Sequence, residues 1–280
     1  MRKTRNNFWL RLAVLGLCVS CFGSASLASA ELILSAPPRE NPSVGEKLYG
    51  PLAAHLSELL GEEVEYQHPQ NWLQYQRDVR KGVYDIVFDG PHFVSWRLEH
   101  LKHDVLVKLP VTLEFVVVIH DDNDEIKSMK DLIGKKVCAI PPPNLATLTL
   151  IEQFNNPVRQ PIIWGTSGGF MSVFQSFAAK QCVAAVLRAR FYDKLLTKQD
   201  RAGIKVLFRS KPLPNQAISA GPKINSDSKQ KIIRSLTLGK GQIAIQSISK
   251  RFAGNQAFIK AQNEEYLSHN FLLEGVVFGW

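Results

Sequence analysis

A chain of 280 residues, 45% of them hydrophobic, can fill one large domain or two lobes with core. Its 34 Lys and Arg against 25 Asp and Glu give a formal net charge of +9. No arginine-rich run is interleaved with aromatics, which argues against a nucleic-acid surface, and beyond residue 30 no run of about 18 apolar residues argues for a membrane span.

The first 30 residues have the build of a secretory signal. Arg2, Lys3, Arg5 and Arg11 precede the apolar run Leu12 to Gly23, and small residues end at Ala28-Ser29-Ala30. Cleavage is expected after Ala30, leaving an exported, periplasmic chain. A lipid anchor on Cys21 is disfavoured, because Cys18 stands where the lipidation box wants Leu. The signal carries four of the cations and no acid, so the net charge falls from +9 to +5. That excess either attracts anionic ligands or belongs to an ordinary soluble surface.

From there strands and helices alternate. Leu32 to Ala36 reads as a strand. Glu46 to Leu60 reads as a helix, with Tyr49, Leu52, Ala53, Leu56 and Leu60 on one face and Gly61 as its stop. A strand over Glu62 to Gln67, a helix over Asn71 to Lys81, a strand over Tyr84 to Phe88 and a helix over Pro91 to Glu99 follow. This βαβαβα order predicts a mostly parallel sheet. After paired runs at Val105 to Leu109 and Phe115 to His120, a short helix is expected over Ser128 to Ile133. The plan then restarts with strands at Lys136 to Ile140, Pro161 to Trp164 and Val183 to Leu187. Helices over Asn144 to Phe154 and Gly168 to Lys180 lie between them. The tail returns as a strand from Gln216 and helices over Asp227 to Leu238, Gln242 to Phe252 and Asn263 to Leu272.

Two similar α/β lobes in an exported chain predict a protein that closes on a ligand held beyond the carboxyl ends of its strands. The expected division is lobe 1 over 31–110, lobe 2 over 111–210, and a return to lobe 1 over 211–280. The hinge strands are expected near Leu109 to Phe115 and Val206 to Gln216.

Five stretches, in order, carry a resemblance: YGPLAAHLSELLGEEVEY, GVYDIVFDGPHFVSW, GKKVCAIPPPNLATL, KQCVAAVLRARFYDKL and KPLPNQAIS. Together they resemble the phosphate/phosphite/phosphonate substrate-binding family of ABC transporters, across essentially the whole exported chain. The resemblance implies a type II periplasmic binding protein fold, with a ligand cleft between two lobes. It also implies an anion site built from four strand-end loops. Here these are Pro37 to Pro42, with Arg39 and Asn41; Asp89 to His92; Pro143 to Thr147; and Gly165 to Gly169. The third loop often reads Ser-Thr-Ser-Gly in the family; here only Thr147 keeps a hydroxyl.

Read residue by residue, each loop has two explanations. Asp89 can cap a helix that Pro91 opens, with Gly90 making the turn; His92 is surplus to that purpose and can face a ligand. Asn144 is an N-cap or a ligand group, beside Ala146 and Thr147, and Pro141 to Pro143 stiffen that loop. Thr166, Ser167 and Gly168 make an anion cradle or a plain helix start. Arg188, with Arg190, follows a strand and is either a clamp for an oxyanion or a surface cation. Arg39 and Glu40 follow the first strand and can line the same cleft.

The expected function is capture of a small, oxyanion-like ligand by lobe closure and delivery to an ABC permease. The alternative is a sensory module for a membrane histidine kinase or cyclase. An exported enzyme is poorly supported, since no catalytic or metal motif is present. No cofactor, metal or nucleic acid is expected, and the chain is read as a monomer. After the signal only Cys138 and Cys182 remain. They are expected either to bridge, if the first and third strands of lobe 2 are neighbours, or to sit as separate buried thiols.

Overall fold

The computed structural model describes residues 31–154, 156–274 and 280. The expected signal, with Cys18, Cys21 and the cleavage point after Ala30, lies outside the described residues. No described helix is long and apolar enough to cross a membrane.

The chain forms two mixed α/β sheets flanked by helices, the architecture of a type II periplasmic binding protein. The first half builds β1 (Leu32–Ser35), α1 (Pro42–Leu60), β2 (Val64–Gln67), α2 (Trp72–Arg80), β3 (Ile86–Asp89), α3 (Pro91–Leu101) and β4 (Asp104–Lys108). The middle builds β5 (Phe115–His120), β6 (Lys136–Ala139), α4 (Leu145–Glu152), β7 (Ile162–Gly165), α5 (Gly169–Ala178), β8 (Ala184–Arg188) and β9 (Ile204–Arg209). The tail adds β10 (Ala217–Ala220), α6 (Ser226–Leu238), α7 (Gly241–Ala244), α8 (Gln246–Ala253) and β11 (Ile259–Lys260).

One sheet runs β11-β4-β10-β3-β1-β2 and the other β7-β6-β8-β5-β9. The βα units give parallel pairs, β1 with β2 and β3, and β6 with β7 and β8. The remaining pairs are antiparallel, so both sheets are mixed rather than mostly parallel. The reason is the return of the chain: β10 comes back from the second sheet and inserts between β3 and β4. Leu113 and Leu213 form an antiparallel bridge where the two crossings pass each other. Beside it Val111, a β-branched residue, is held at φ 69, a strained conformation for its type.

Several elements depart from their sequence patterns. α1 starts at Pro42, four residues early, because Asn41 caps it and Pro42 fits its first turn. The expected helix Ser128 to Ile133 is a 3-10 turn, Met129–Leu132. Gln242 to Phe252 breaks into α7 and α8 at Ile245. Asn263 to Leu272 holds two short 3-10 turns instead of a helix. Its stripe is too short to form a helix without packing along its length.

One apolar core fills the space between the first sheet and α1, α6 and α8. A second runs without a break from Tyr75, Val87 and Phe93 to Phe115, Val137 and Leu148, and so joins the sheets. Leu272 and Leu273 of the tail lie in that junction, and the backbone of His269 and Asn270 is anchored on Ser95 Oγ of α3. A third core packs α5 on the outer face of the second sheet. There Cys138 and Cys182 form a disulfide, Cα to Cα 5.6 Å. Parallel pairing sets Cys138 of β6 against Ala185 of β8, which brings the lead-in to β8 alongside.

Candidate functional site

The carboxyl ends of β1 and β3 carry the first two corners. Asp89 closes β3 and is fully buried. Both Arg97 terminal nitrogens donate to its carboxylate at 2.7 Å, and the Tyr75 hydroxyl donates to it as well. Arg97, itself 1% exposed, donates also to Ser219 Oγ. Burial works against the charge on Arg97, but Asp89 outweighs it and raises the guanidinium pKa above its usual value. The expectation that Asp89 caps α3 is therefore corrected: Gly90 is the N-cap, with no side-chain bond, because the arginine fork holds the carboxylate. Pro91 takes the first helical position as expected.

His92 is placed differently. A Cβ on Gly90 would lie 2.8 Å from the His92 ring, so only glycine admits the ring there. His92 Nε2 lies 3.1 Å from the carbonyl oxygen of Pro143, beyond β6 in the other sheet. A carbonyl only accepts, so Nε2 carries the proton. Burial lowers the imidazole pKa to about 3, and it stays neutral. Its Nδ1 is thus an acceptor, buried and without a partner.

The loop after β1 gives a second set. Asn41 is exposed and its side chain accepts from Val44 N, which is a capping role. Arg39 Nη1, both Glu40 carboxylate oxygens and the Tyr49 hydroxyl are buried without a hydrogen-bond partner. Arg39 and Glu40 both act electrostatically on Tyr49, whose pKa burial raises. Phe252 of α8 packs on Phe88, with the Arg39 guanidinium 5.8 Å from its ring centre.

In the second sheet the corners after β6 and β7 face different fates. Asn144 caps α4 by accepting the N–H of Ala146, so neither atom is free. The Thr147 hydroxyl donates to Ile140 O. Thr166 follows β7, and its hydroxyl is buried and unpartnered. Ser167 is exposed, and Gly168, at φ 98, is the N-cap of α5 without a side-chain bond. Arg188 ends β8, and its side chain makes no hydrogen bond or ion pair among the described residues. Burial, then the neighbouring Arg190, lower its guanidinium pKa. It lines a cavity of about 570 Å³ with Val111, Arg190, Lys194, Arg209 and Gln256 of the tail. Another open groove, of about 610 Å³, lies by Glu99 and His103 at the far end of α3, away from these corners.

His92 and Pro143 join the β3 and β6 corners, and Arg39 lies within electrostatic reach of His92. Glu40, Tyr49 and Phe252 lie on the same side. Sequence reasoning passed over Tyr49 because it sits in a regular apolar stripe; only its orphaned hydroxyl separates it from a core tyrosine. Phe252 gave no local signal, since it lies 164 residues beyond Phe88, on which it packs. Among the described residues no group of His, Cys, Asp and Glu is placed to hold a metal ion.

Residues 34–266 match the family model of the periplasmic substrate-binding proteins of phosphonate ABC transporters. No curated protein matches the sequence. The structure is similar to PhnD1 of Prochlorococcus marinus in complex with methylphosphonate, at TM-score 0.60 and 14% identity, covering 87% of this chain and 97% of that one. It is similar to a Xanthomonas citri protein bound to ATP, at TM-score 0.66 and 14% identity over 89% and 97% of the chains. A binding-protein component of a phosphonate transporter from Pseudomonas aeruginosa matches at TM-score 0.57 and 12% identity, over 84% and 83%.

Proposed function

The chain belongs to the phosphonate periplasmic substrate-binding family of ABC transporters, and from that premise we propose that it captures a small oxyanion between its lobes and delivers it to a membrane permease. The family is one of exported binding proteins that work with a permease and do no chemistry on what they carry. In this reading the exported chain is cleaved after Ala30 and acts as a monomer.

One observation carries the reading. Arg39, Tyr49, His92 and Thr166, from corners of both sheets, hold buried polar atoms with no partner. An unmet buried donor or acceptor costs about 1–3 kcal/mol, so a set of them is retained where a ligand completes it. Arg39 and the hydroxyls of Tyr49 and Thr166 supply donors to an oxyanion, and the half-buried Arg188 adds charge at the hinge. His92, reaching from α3 to the β6 loop, couples that site to lobe closure. The corners engaged elsewhere, Asp89, Asn144 and Ala146, hold the loops in shape. Thr147 and Asn41 contribute less than the orphaned groups.

The test is a thermal-shift screen across phosphate, phosphite, phosphonates, sulfonates and carboxylates. A ligand at 100 times its Kd should stabilise the protein by about 2.7 kcal/mol. Thr166→Ala should weaken binding by about 1.5–3 kcal/mol, with folding intact, and His92→Ala should weaken it by loosening the contact between the β3 and β6 corners. A melting curve moved by neutral compounds and by no oxyanion would defeat the reading. N-terminal sequencing of the periplasmic protein should begin at Glu31.

A further inference from the structure

α3 and α4 flank different sheets, and two contacts join them. His92, in the first turn of α3, reaches the carbonyl oxygen of Pro143 just ahead of α4. The second contact is indirect and runs through the tail. The 3-10 turn Asn270–Leu272 packs against both helices. Leu272 is 2% exposed and Leu273 fully buried. Both lie in the core that holds Phe93 and Trp96 of α3 together with Leu145 and Leu148 of α4.

Ser95 fixes that turn. It is 1% exposed. Its Oγ accepts the N–H groups of His269 and Asn270, each at 3.0 Å, and donates to Asn270 Oδ1 at 3.4 Å. One proton and two lone pairs are all that a hydroxyl has. A serine inside a helix commonly bonds back to the carbonyl four residues earlier; Ser95 is turned wholly to the tail. Asn270 Nδ2 donates to Glu274, which also meets His100 near the end of α3. The chain enters the turn through Ser268 at φ 63, a left-handed conformation that disfavours any residue with a Cβ. A saturated anchor and a strained entry hold this turn in one place.

Closing and opening of two lobes moves α4 relative to α3. The Ser95 anchor travels with α3, so opening parts Leu272 and Leu273 from α4. We propose that the tail turn is a latch on lobe closure: Ser95 is its positioning residue, and Leu272 and Leu273 hold α4 in the closed state. This rests on the capture reading given under Proposed function, and adds to it what sets the balance between open and closed. Apparent affinity follows the population of the binding-competent state, so the latch acts on affinity and release through that population alone.

Small-angle X-ray scattering of the ligand-free protein, with titration calorimetry against methylphosphonate, tests the latch. The proteins are the wild type, Ser95→Ala, Asn270→Ala and Leu272→Ala. Each folded variant should scatter as a more open molecule than the wild type. Ser95→Ala and Leu272→Ala should bind methylphosphonate at least about fivefold more weakly, a shift of the size that coupled equilibria give. A turn with only a structural part to play would lower the melting temperature and leave the scattering and affinity of the folded variants at wild-type values; that result overturns the latch. Asn270→Ala removes two side-chain bonds at a half-buried position, so it keeps the test open if Leu272→Ala fails to fold. The scattering needs no ligand. A wild type that binds no oxyanion therefore defeats the capture reading, while the latch still stands or falls on the openness of the variants.

Discussion

At the scale of single residues, the corner after β3 divides its labour. Asp89 and Arg97 form a bidentate pair with almost no exposure, and Tyr75 and Ser219 complete it. Removing one member of such a pair leaves the other charge buried alone, which costs about 3–5 kcal/mol. Asp89→Asn should therefore lower stability by that order in urea denaturation, and Asp89→Asn with Arg97→Gln should lose less than the two single changes summed. Burial sets a second residue-scale property. His92 and His103 both have pKa values lowered to about 3, against about 6.5 in an unfolded chain. Between those values the unfolded chain takes up protons that the native chain refuses. Stability should thus be intact above about pH 6.5 and fall as pH drops towards 3, by at most about 1.4 kcal/mol per pH unit for each histidine. Melting temperatures from pH 7 to 4 check this, and a His92→Gln, His103→Gln protein should show a shallower decline. The Gly90-Pro91-His92 run was readable as a corner with a surplus histidine. That its Asp89 belongs to Arg97, eight residues on, was not, because α3 folds back over β3 before the two meet.

At the scale of elements, caps and glycines decide how the helices present themselves. Asn41, Asn71, Asn144 and Asn225 each accept a backbone N–H at a helix start, and all four helices were readable from sequence. α5 starts otherwise. Gly168 stands at φ 98 and Gly169 at φ 81, and a Cβ on Gly168 would lie 2.4 Å from Ser172 Oγ. Gly168→Ala should destabilise by about 1–2 kcal/mol and tilt the Thr166 loop. A melting temperature equal to that of the wild type would show that this start is not constrained. Local pattern failed where packing, rather than propensity, ends an element. The stripe over Gln242 to Phe252 is amphipathic throughout, yet α7 and α8 divide at Ile245, which is buried against α1 and α6. The residues from Asn263 to Leu272 are drawn into turns by their contacts with α3 and β4.

At the scale of the whole molecule, two kinds of restraint hold the sheets. The chain crosses between them twice, at the Leu113–Leu213 bridge, and the tail packs into the junction. The disulfide acts inside one sheet only, closing a 44-residue separation between β6 and the lead-in to β8. Chain entropy gives it a stabilisation of up to roughly 4 kcal/mol. Cys138→Ala with Cys182→Ala should lower stability by up to that amount and change ligand affinity little, since Cys182 lies at the entering end of β8 and the candidate site at the exits of the strands. The denatured, unreduced periplasmic protein, without its signal, should titrate no free thiol; two per chain would contradict the bridge.

The amino-acid order alone determined the two α/β units, because a buried strand and an amphipathic helix each write their period into a few consecutive residues. It also determined where corners fall, since Gly, Pro, Asn and Ser act locally. The pairing of sheets was decided elsewhere. β10 slots antiparallel between β3 and β4, and Val111 takes a backbone conformation that its side chain disfavours, because two chain crossings must pass through one place. The candidate site follows the same division. His92 and Thr166 stand in legible corners, but whether a polar atom is bonded or orphaned depends on what the rest of the chain brings within 3.5 Å. Thr147 and Asn144 found backbone partners close in sequence. Glu40, already expected to line the cleft, and Tyr49 found no hydrogen-bond partner, and Tyr49 became a candidate only when folding removed the water around it.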